Sequence, residues 1–283
     1  YAAAHQSYRF AATDIASESF KPKAVSWVLA GGLFAGVIGP QLIIFTKDIW
    51  QPFLYAATFV GQALMALLAG LVLMLLRIPA PQAGHKAPPG RPLFEIVRAP
   101  RFLVAVMCGV VSYAVMNLVM TSAPIAMVDC GHSVTAATLG LQWHILAMYG
   151  PSFFTGSLIQ RFGTGRVALA GFVLLAASAG TGIAGITVSH FWLALILLGL
   201  GWNLAFVAAT TMVTECYRPE ERNKVQAFND FLVFGSMAVG SFISGILLVA
   251  GGWEIVNGFV LPFIFAAAAF MVWLSFRERA RPA

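Results

Sequence analysis

The sequence predicts an all-α membrane protein, a polytopic bundle of transmembrane helices. Three observations carry this. Hydrophobic residues make up 59 % of the 283 residues and charged residues 10 %. A soluble domain carries about 25 % charged residues, so this chain has too few to cover a water-exposed globule, and far too much apolar surface to stay disordered. The apolar residues gather in blocks of the roughly 20 residues that a helix needs to cross a bilayer. These blocks are apolar all round, whereas barrel strands alternate apolar and polar residues over about ten positions.

Eight blocks follow in order: Ala24–Thr46, Pro52–Leu76, Phe102–Met127, Ser133–Ile159, Val167–Val188, Phe191–Val213, Val225–Ala250 and Trp253–Phe276. Short turn-forming or charged segments separate them. Gln82 to Pro92 is the one long linker, and Gly84, Pro88, Pro89, Gly90 and Pro92 break any helix there. Pro151 predicts a kink in the fourth block. With the first residues on the cytoplasmic side and sides alternating, 16 of the 17 basic residues fall inside and only Lys47 falls outside. Insertion retains basic segments in the cytoplasm, so this asymmetry fixes the orientation and checks the span count. Both chain ends are then cytoplasmic, in a multi-pass protein of the bacterial inner membrane.

The formal charge of +6 is therefore mainly a topology signal. The basic residues lie scattered between apolar blocks and form no patch for nucleic acid; anionic lipid is a secondary reading. Cys108, Cys130 and Cys216 are far apart, with no CxxC pair or disulfide framework. Tyr1 to Phe20 is a mixed amphipathic segment rather than a signal peptide, and the chain is expected to begin inside a longer protein.

The segment GSLIQRFGTGR, Gly156 to Arg166, joins the fourth and fifth blocks. It resembles the loop signature of the major facilitator superfamily, roughly G-x-L-x-D-R-x-G-R-R. Gly156, Leu158, Arg161 and Gly163 match; Gln160 replaces the acidic residue, and Arg166 arrives late, after Thr164 and Gly165. AGGLFAGVIGP, Ala30 to Pro40, is similar to the glycine-rich fifth helix of antiporters in that family, through Gly32, Gly36, Gly39 and Pro40. Small residues at this spacing are also an ordinary device for packing membrane helices. The resemblance implies that the eight blocks are helices 5 to 12 of a twelve-helix fold. Residues 1–76 are then the end of an N-terminal bundle, 77–100 a cytoplasmic linker and 101–283 a six-helix C-terminal bundle. It also implies secondary transport by a monomer, with Gly156, Arg161, Gly163 and Arg166 forming a cytoplasmic gate loop.

Polar side chains are costly in hydrocarbon and usually face a bundle interior or a cavity. Tyr113, Asn117 and Thr121 recur at i, i+4 and i+8 on the third block; Asn203, Phe206 and Thr210 make a second polar-aromatic stripe on the sixth, with Trp202 beside Asn203 near its midpoint. Gln142 and His144 lie near the middle of the fourth block and, two residues apart, face opposite ways. These residues are the candidate substrate pathway, suited to an uncharged or weakly charged organic solute of drug-like or vitamin-like character. Interhelical hydrogen bonding is the competing reading for Asn117 and Asn203. His144 and Asp230 are candidates for carrying a coupling proton, although Asp230 has an alternative role as a partner of Lys224 or Arg222. Glu215, Glu220 and Glu221 are expected to be solvated.

Three function classes remain to be compared. A transporter driven by a proton gradient fits best, because no GxxxxGK[ST] nucleotide motif is present. An intramembrane enzyme needs a buried Ser/His pair, an acid pair or an HExxH-like cluster, and none is present; no cofactor or metal is expected. A receptor or scaffold leaves the midplane polar groups on three spans without a purpose. Transport direction stays open, with the resemblance of Ala30 to Pro40 to antiporters tilting it toward export.

Overall fold

The computed structural model describes residues 21–75 and 90–279, with side chains described from residue 31. Among the described residues all regular structure is helical. The chain divides into two compact units, Tyr1–Lys86 and Ala87–Ala283.

The first unit holds α1 (Lys21–Thr46) and α2 (Ala56–Met74). The Thr46 hydroxyl lies 2.8 Å from that of Thr58, joining the two helices. Leu42 of α1 packs against Gly61 of α2, where a Cβ would stand 3.0 Å from Leu42 Cδ1. Gly36 and Pro40 are buried, Gly32 is half-buried, and Gly39 is exposed with nothing within 4 Å of an added Cβ. The outer side of α2 is a row of exposed leucines, Leu64, Leu67, Leu68 and Leu71, the surface expected of a helix solvated by lipid. The predicted linker at 77–100 and the amphipathic start at 1–20 lie largely outside the described residues.

The second unit begins with a short helix, α3 (Leu93–Val97), inside the stretch predicted as linker. It continues through α4 (Pro100–Asp129), α5 (Val134–Tyr149), α6 (Ser152–Phe162), α7 (Thr164–Ala184) and α8 (Val188–Thr214). After a 3-10 turn at Pro219–Glu221 the run Arg222–Arg279 is helical except at Gly251 and Gly252. Gly252 has φ 69°, a conformation in which a Cβ is strained, so the run reverses here; its arms, residues 222–250 and 253–279, are α9 and α10. The eight sequence blocks each map onto these helices. The fourth maps onto two, α5 and α6, parted at Gly150-Pro151, because proline lacks the N–H that would continue the helical ladder.

The core of this unit is built around α8, which packs against α4, α5 and α7. Two glycines set how closely. A Cβ on Gly199 would stand 2.6 Å from the His144 carbonyl oxygen of α5, and one on Gly201 would stand 2.8 Å from the Leu175 nitrogen of α7. On α7, Gly171 returns the contact, with an added Cβ 2.4 Å from the Ala205 nitrogen. Backbone meets backbone on both sides of α8, the close approach that small residues permit in lipid.

Outside the spans one expectation is corrected. Glu221 is not solvated but fully buried. It lies in the loop ahead of the apolar block Val225–Ala250, where its carboxylate accepts from the Arg91 backbone N–H (2.8 Å), from Arg91 Nε (2.9 Å) and Nη2 (2.8 Å), and from the Arg218 N–H (2.9 Å). Lys224 donates to the Arg91 carbonyl, rather than pairing with Asp230. Glu215 is likewise paired, with Arg101, which also bridges to Glu278; Glu220 is exposed as expected. The chain entering the second unit is thus clamped to the α8–α9 loop by charge-assisted bonds.

Two predictions follow from these contacts. Gly171→Ala should lower the thermal transition of the detergent-solubilised protein, an overpacking cost of about 1–3 kcal/mol. Gly180→Ala on the open side of the same helix, with nothing within 4 Å, should leave the transition unchanged or raise it. For Glu221, the Arg91 side chain and then the Arg218 N–H hold the carboxyl at about 2, against an ordinary 4.5. A depressed carboxyl adds stability above its unfolded value that disappears as the pH falls toward the folded one. Glu221→Gln should therefore speed amide hydrogen exchange across residues 90–97 at neutral pH, and the difference from the unsubstituted protein should shrink between pH 4.5 and 2.

Candidate functional site

Five aromatic rings from four helices converge in the second unit. Trp202 and Phe206, one turn apart on α8, stack at 5.1 Å with planes 12° apart. Tyr113 of α4 meets Trp202 edge-on at 5.5 Å and Phe206 at 5.1 Å. Tyr149 of α5 approaches Trp202 at 6.5 Å, and Phe234 of α9 approaches Tyr113 at 6.1 Å. These are the stacked and T-shaped geometries that ring quadrupoles favour. Trp202 is 5 % exposed, while the other four rings are half-buried. The aromatic members of the two stripes, Tyr113 and Phe206, are thereby brought together with Trp202. Tyr149 and Phe234 join them without having been singled out in the sequence; Tyr149 directly precedes Gly150-Pro151, and Phe234 lies one turn beyond Asp230.

The polar members of the stripes are spent on holding helices. Asn117 Nδ2 donates to the Met237 carbonyl (3.1 Å) and to Ser241 Oγ (2.8 Å), tying α4 to α9. Thr121 and Thr210 donate to carbonyls one turn back on their own helices, at 2.7 Å and 2.8 Å. Asn203 is fully buried and spans the α5–α6 break. Its Nδ2 donates to the Met148 carbonyl before the break and to Ser152 Oγ after it, both at 2.7 Å; its Oδ1 accepts from Thr155 Oγ1 at 2.6 Å. The proline that kinks the span thus lies between two groups that one amide holds together.

His144 is fully buried between α5 and α8, its Nδ1 donating to the Leu195 carbonyl at 2.8 Å. This fixes the tautomer and leaves Nε2 as an acceptor without a partner. Gln142, half-buried, faces away from it as the helical spacing requires. Asp230 is exposed and accepts from Asn229 Nδ2 at 3.2 Å. Besides His144 Nε2, the buried polar atoms without a partner among the described side chains are Trp202 Nε1, Trp253 Nε1 and Asn257 Oδ1. Among the described residues no cluster of His, Cys, Asp and Glu is arranged to hold a metal ion.

The loop signature forms the α6–α7 turn. Gly163 takes φ 83° there, the left-handed conformation that favours glycine. Arg161 lies over the Phe162 ring at 5.3 Å, and Gly156 has nothing within 4 Å of an added Cβ. Arg166 and Gly163 border a cleft of about 360 Å³ together with Arg101, Ser275, Glu278 and Arg279.

Among the described residues five stretches are long and apolar enough to cross a membrane, the last being the run that turns at Gly252. The family model of the Major Facilitator Superfamily matches residues 105–283. The riboflavin transporter RfnT of Brucella anthropi is 53 % identical over 268 residues, which cover 93 % of this chain and 67 % of that protein. Two uncharacterized MFS-type transporters of Bacillus subtilis, YddS and YdeG, are 29 % and 32 % identical, covering 96 % and 86 % of this chain and 67 % and 60 % of their own lengths. The all-helical apolar fold and these matches lead to one conclusion: the chain belongs to the Major Facilitator Superfamily, a family of multi-pass membrane transporters, and is not an enzyme.

Proposed function

We propose that the protein is a secondary active transporter that moves riboflavin, or a solute of the same planar heteroaromatic class, by alternating access. The observation that carries this reading is the five-ring cluster around Trp202. A flat tricyclic solute with an apolar face and polar edges is recognised by stacking and edge-on contacts, and each such ring pair contributes about 0.5–1.5 kcal/mol beyond the area it buries. The relative at 53 % identity is named a riboflavin transporter, which agrees with that chemistry. The proposed pathway consists of Tyr113, Tyr149, Trp202, Phe206 and Phe234 as contacts. Asn117, Thr121, Asn203 and Thr210 support it by fixing helices and backbone, and Gln142 lies at its edge.

A proton gradient is the proposed energy source. Asp230 lies one turn before Phe234 on α9 and is exposed, which makes it a better candidate than His144, held in a closed contact between two helices. The Gly156–Arg166 turn is the proposed cytoplasmic gate loop. The distribution of basic residues supports an orientation with both ends cytoplasmic; a monomer in the bacterial inner membrane is the state that the family resemblance implies. The glycine-rich α1 favours an antiport mode.

Proteoliposomes of the full-length protein loaded with riboflavin should take up labelled riboflavin by counterflow, and Tyr113→Ala with Phe206→Ala should reduce the rate about tenfold or more. No counterflow by the unsubstituted protein would remove riboflavin as the solute. Asp230→Asn should keep counterflow but lose accumulation driven by a pH gradient; normal accumulation would take Asp230 out of the coupling path.

A further inference from the structure

Resting on the reading that the aromatic cluster receives a planar solute, we infer that the indole N–H of Trp202 is a specificity-determining donor, reserved for a carbonyl oxygen on the edge of that solute. Trp202 Nε1 is buried and has no hydrogen-bond partner. A buried donor without a partner carries the full desolvation cost of the group, and buried tryptophans usually find an acceptor for it. The same helix shows that acceptors are available: Trp192 Nε1, ten residues earlier, donates to the Ala136 carbonyl at 2.9 Å.

The other buried groups without partners sit elsewhere. Trp253 packs on Phe191 at 4.8 Å, and Asn257 presses against Gly182, where a Cβ would come within 2.5 Å of Oδ1. His144 Nε2 is an acceptor, and its ring is fully buried. Trp202 alone of these four lies among half-buried rings from two other helices, Tyr113 of α4 and Tyr149 of α5, and from the next turn of its own, Phe206. The rings supply stacking and select for flatness only. The N–H adds a polar test, because a solute that displaces the surroundings of Trp202 without offering an acceptor leaves the donor unsatisfied. The isoalloxazine ring of riboflavin carries two carbonyls on one edge and meets this test; an all-carbon tricycle does not.

The experiment deletes the N–H and keeps the ring. Trp202 is replaced by 3-benzothienylalanine, an isostere with sulfur in place of N–H, in the full-length protein in nanodiscs, with Trp202→Phe as a second route. Riboflavin affinity is read by quenching of its fluorescence, and the thermal transition is read without ligand. The two readouts should move in opposite senses. Riboflavin affinity should fall about tenfold, the worth of one hydrogen bond, while the ligand-free transition of the isostere protein stays the same or rises, because an unpaired buried donor has been removed. Unchanged riboflavin affinity in the isostere protein overturns the inference. So does a lowered ligand-free transition of the isostere protein, which would mean that the N–H serves the fold. Absence of riboflavin binding by the unsubstituted protein overturns the solute assignment instead; the ligand-free transition still tests whether the donor is unpaired.

Discussion

The second unit depends on how closely the α8 backbone approaches its two neighbours. Gly199 and Gly201 stand on either side of Leu200, one turned to α5 and the other to α7, and Gly171 completes the contact from α7. Lipid offers no hydrophobic drive for one apolar helix to seek another. What holds these helices is dispersion across a backbone-to-backbone contact, and that contact exists only where side chains are absent. Trp202 and Asn203 follow immediately. The glycine pair fixes the rotation and depth of α8, so it also fixes where Trp202 lies and which backbone the Asn203 amide can reach.

The polar groups inside the spans then divide by chemistry. Amides and hydroxyls have strong donors and acceptors, and in hydrocarbon they find partners in neighbouring backbone: Asn117 on α9, Asn203 across the Pro151 break, Ser178 on the Ala194 carbonyl of α8. The faces of aromatic rings have no such demand and pack on one another. In this arrangement the amides give the cluster a fixed frame and the rings give it a face. The Asn203 staple has a mechanical consequence as well. It bonds both sides of a kinked helix, so any bending at Gly150-Pro151 must lengthen or exchange those bonds.

Much of this was legible in the sequence, and the reasons differ by residue. Long apolar blocks cannot be anything but spans. Proline at 151 announces the break by its missing donor, and Gly163 and Gly252 occupy the backbone conformations that other residues avoid. Helical spacing places Tyr113 and Phe206 on stripes that meet. Spacing along one helix does not say which neighbour an amide will bond, so Asn117 and Asn203 stayed between two readings until the packing of α9 and α5 was known. Tyr149 and Phe234 were hidden for the same reason, since each lies on a separate helix with no stripe of its own. The burial of Glu221 is hidden in the sequence because its partner Arg91 is 130 residues away, and a charged loop without a visible partner reads as solvated. Nothing in the sequence distinguishes Gly199 and Gly201, because two small residues in an apolar run resemble ordinary spacing.

A structure of the full-length transporter in lipid with riboflavin bound tests the central claim most directly. The account predicts the isoalloxazine ring in van der Waals contact with Trp202 and Tyr113, with a ring carbonyl within hydrogen-bonding distance of Trp202 Nε1 and the Asn203 bonds to Met148 and Ser152 intact. Riboflavin ordered elsewhere, with the five rings still packed on one another as they are here, would contradict it.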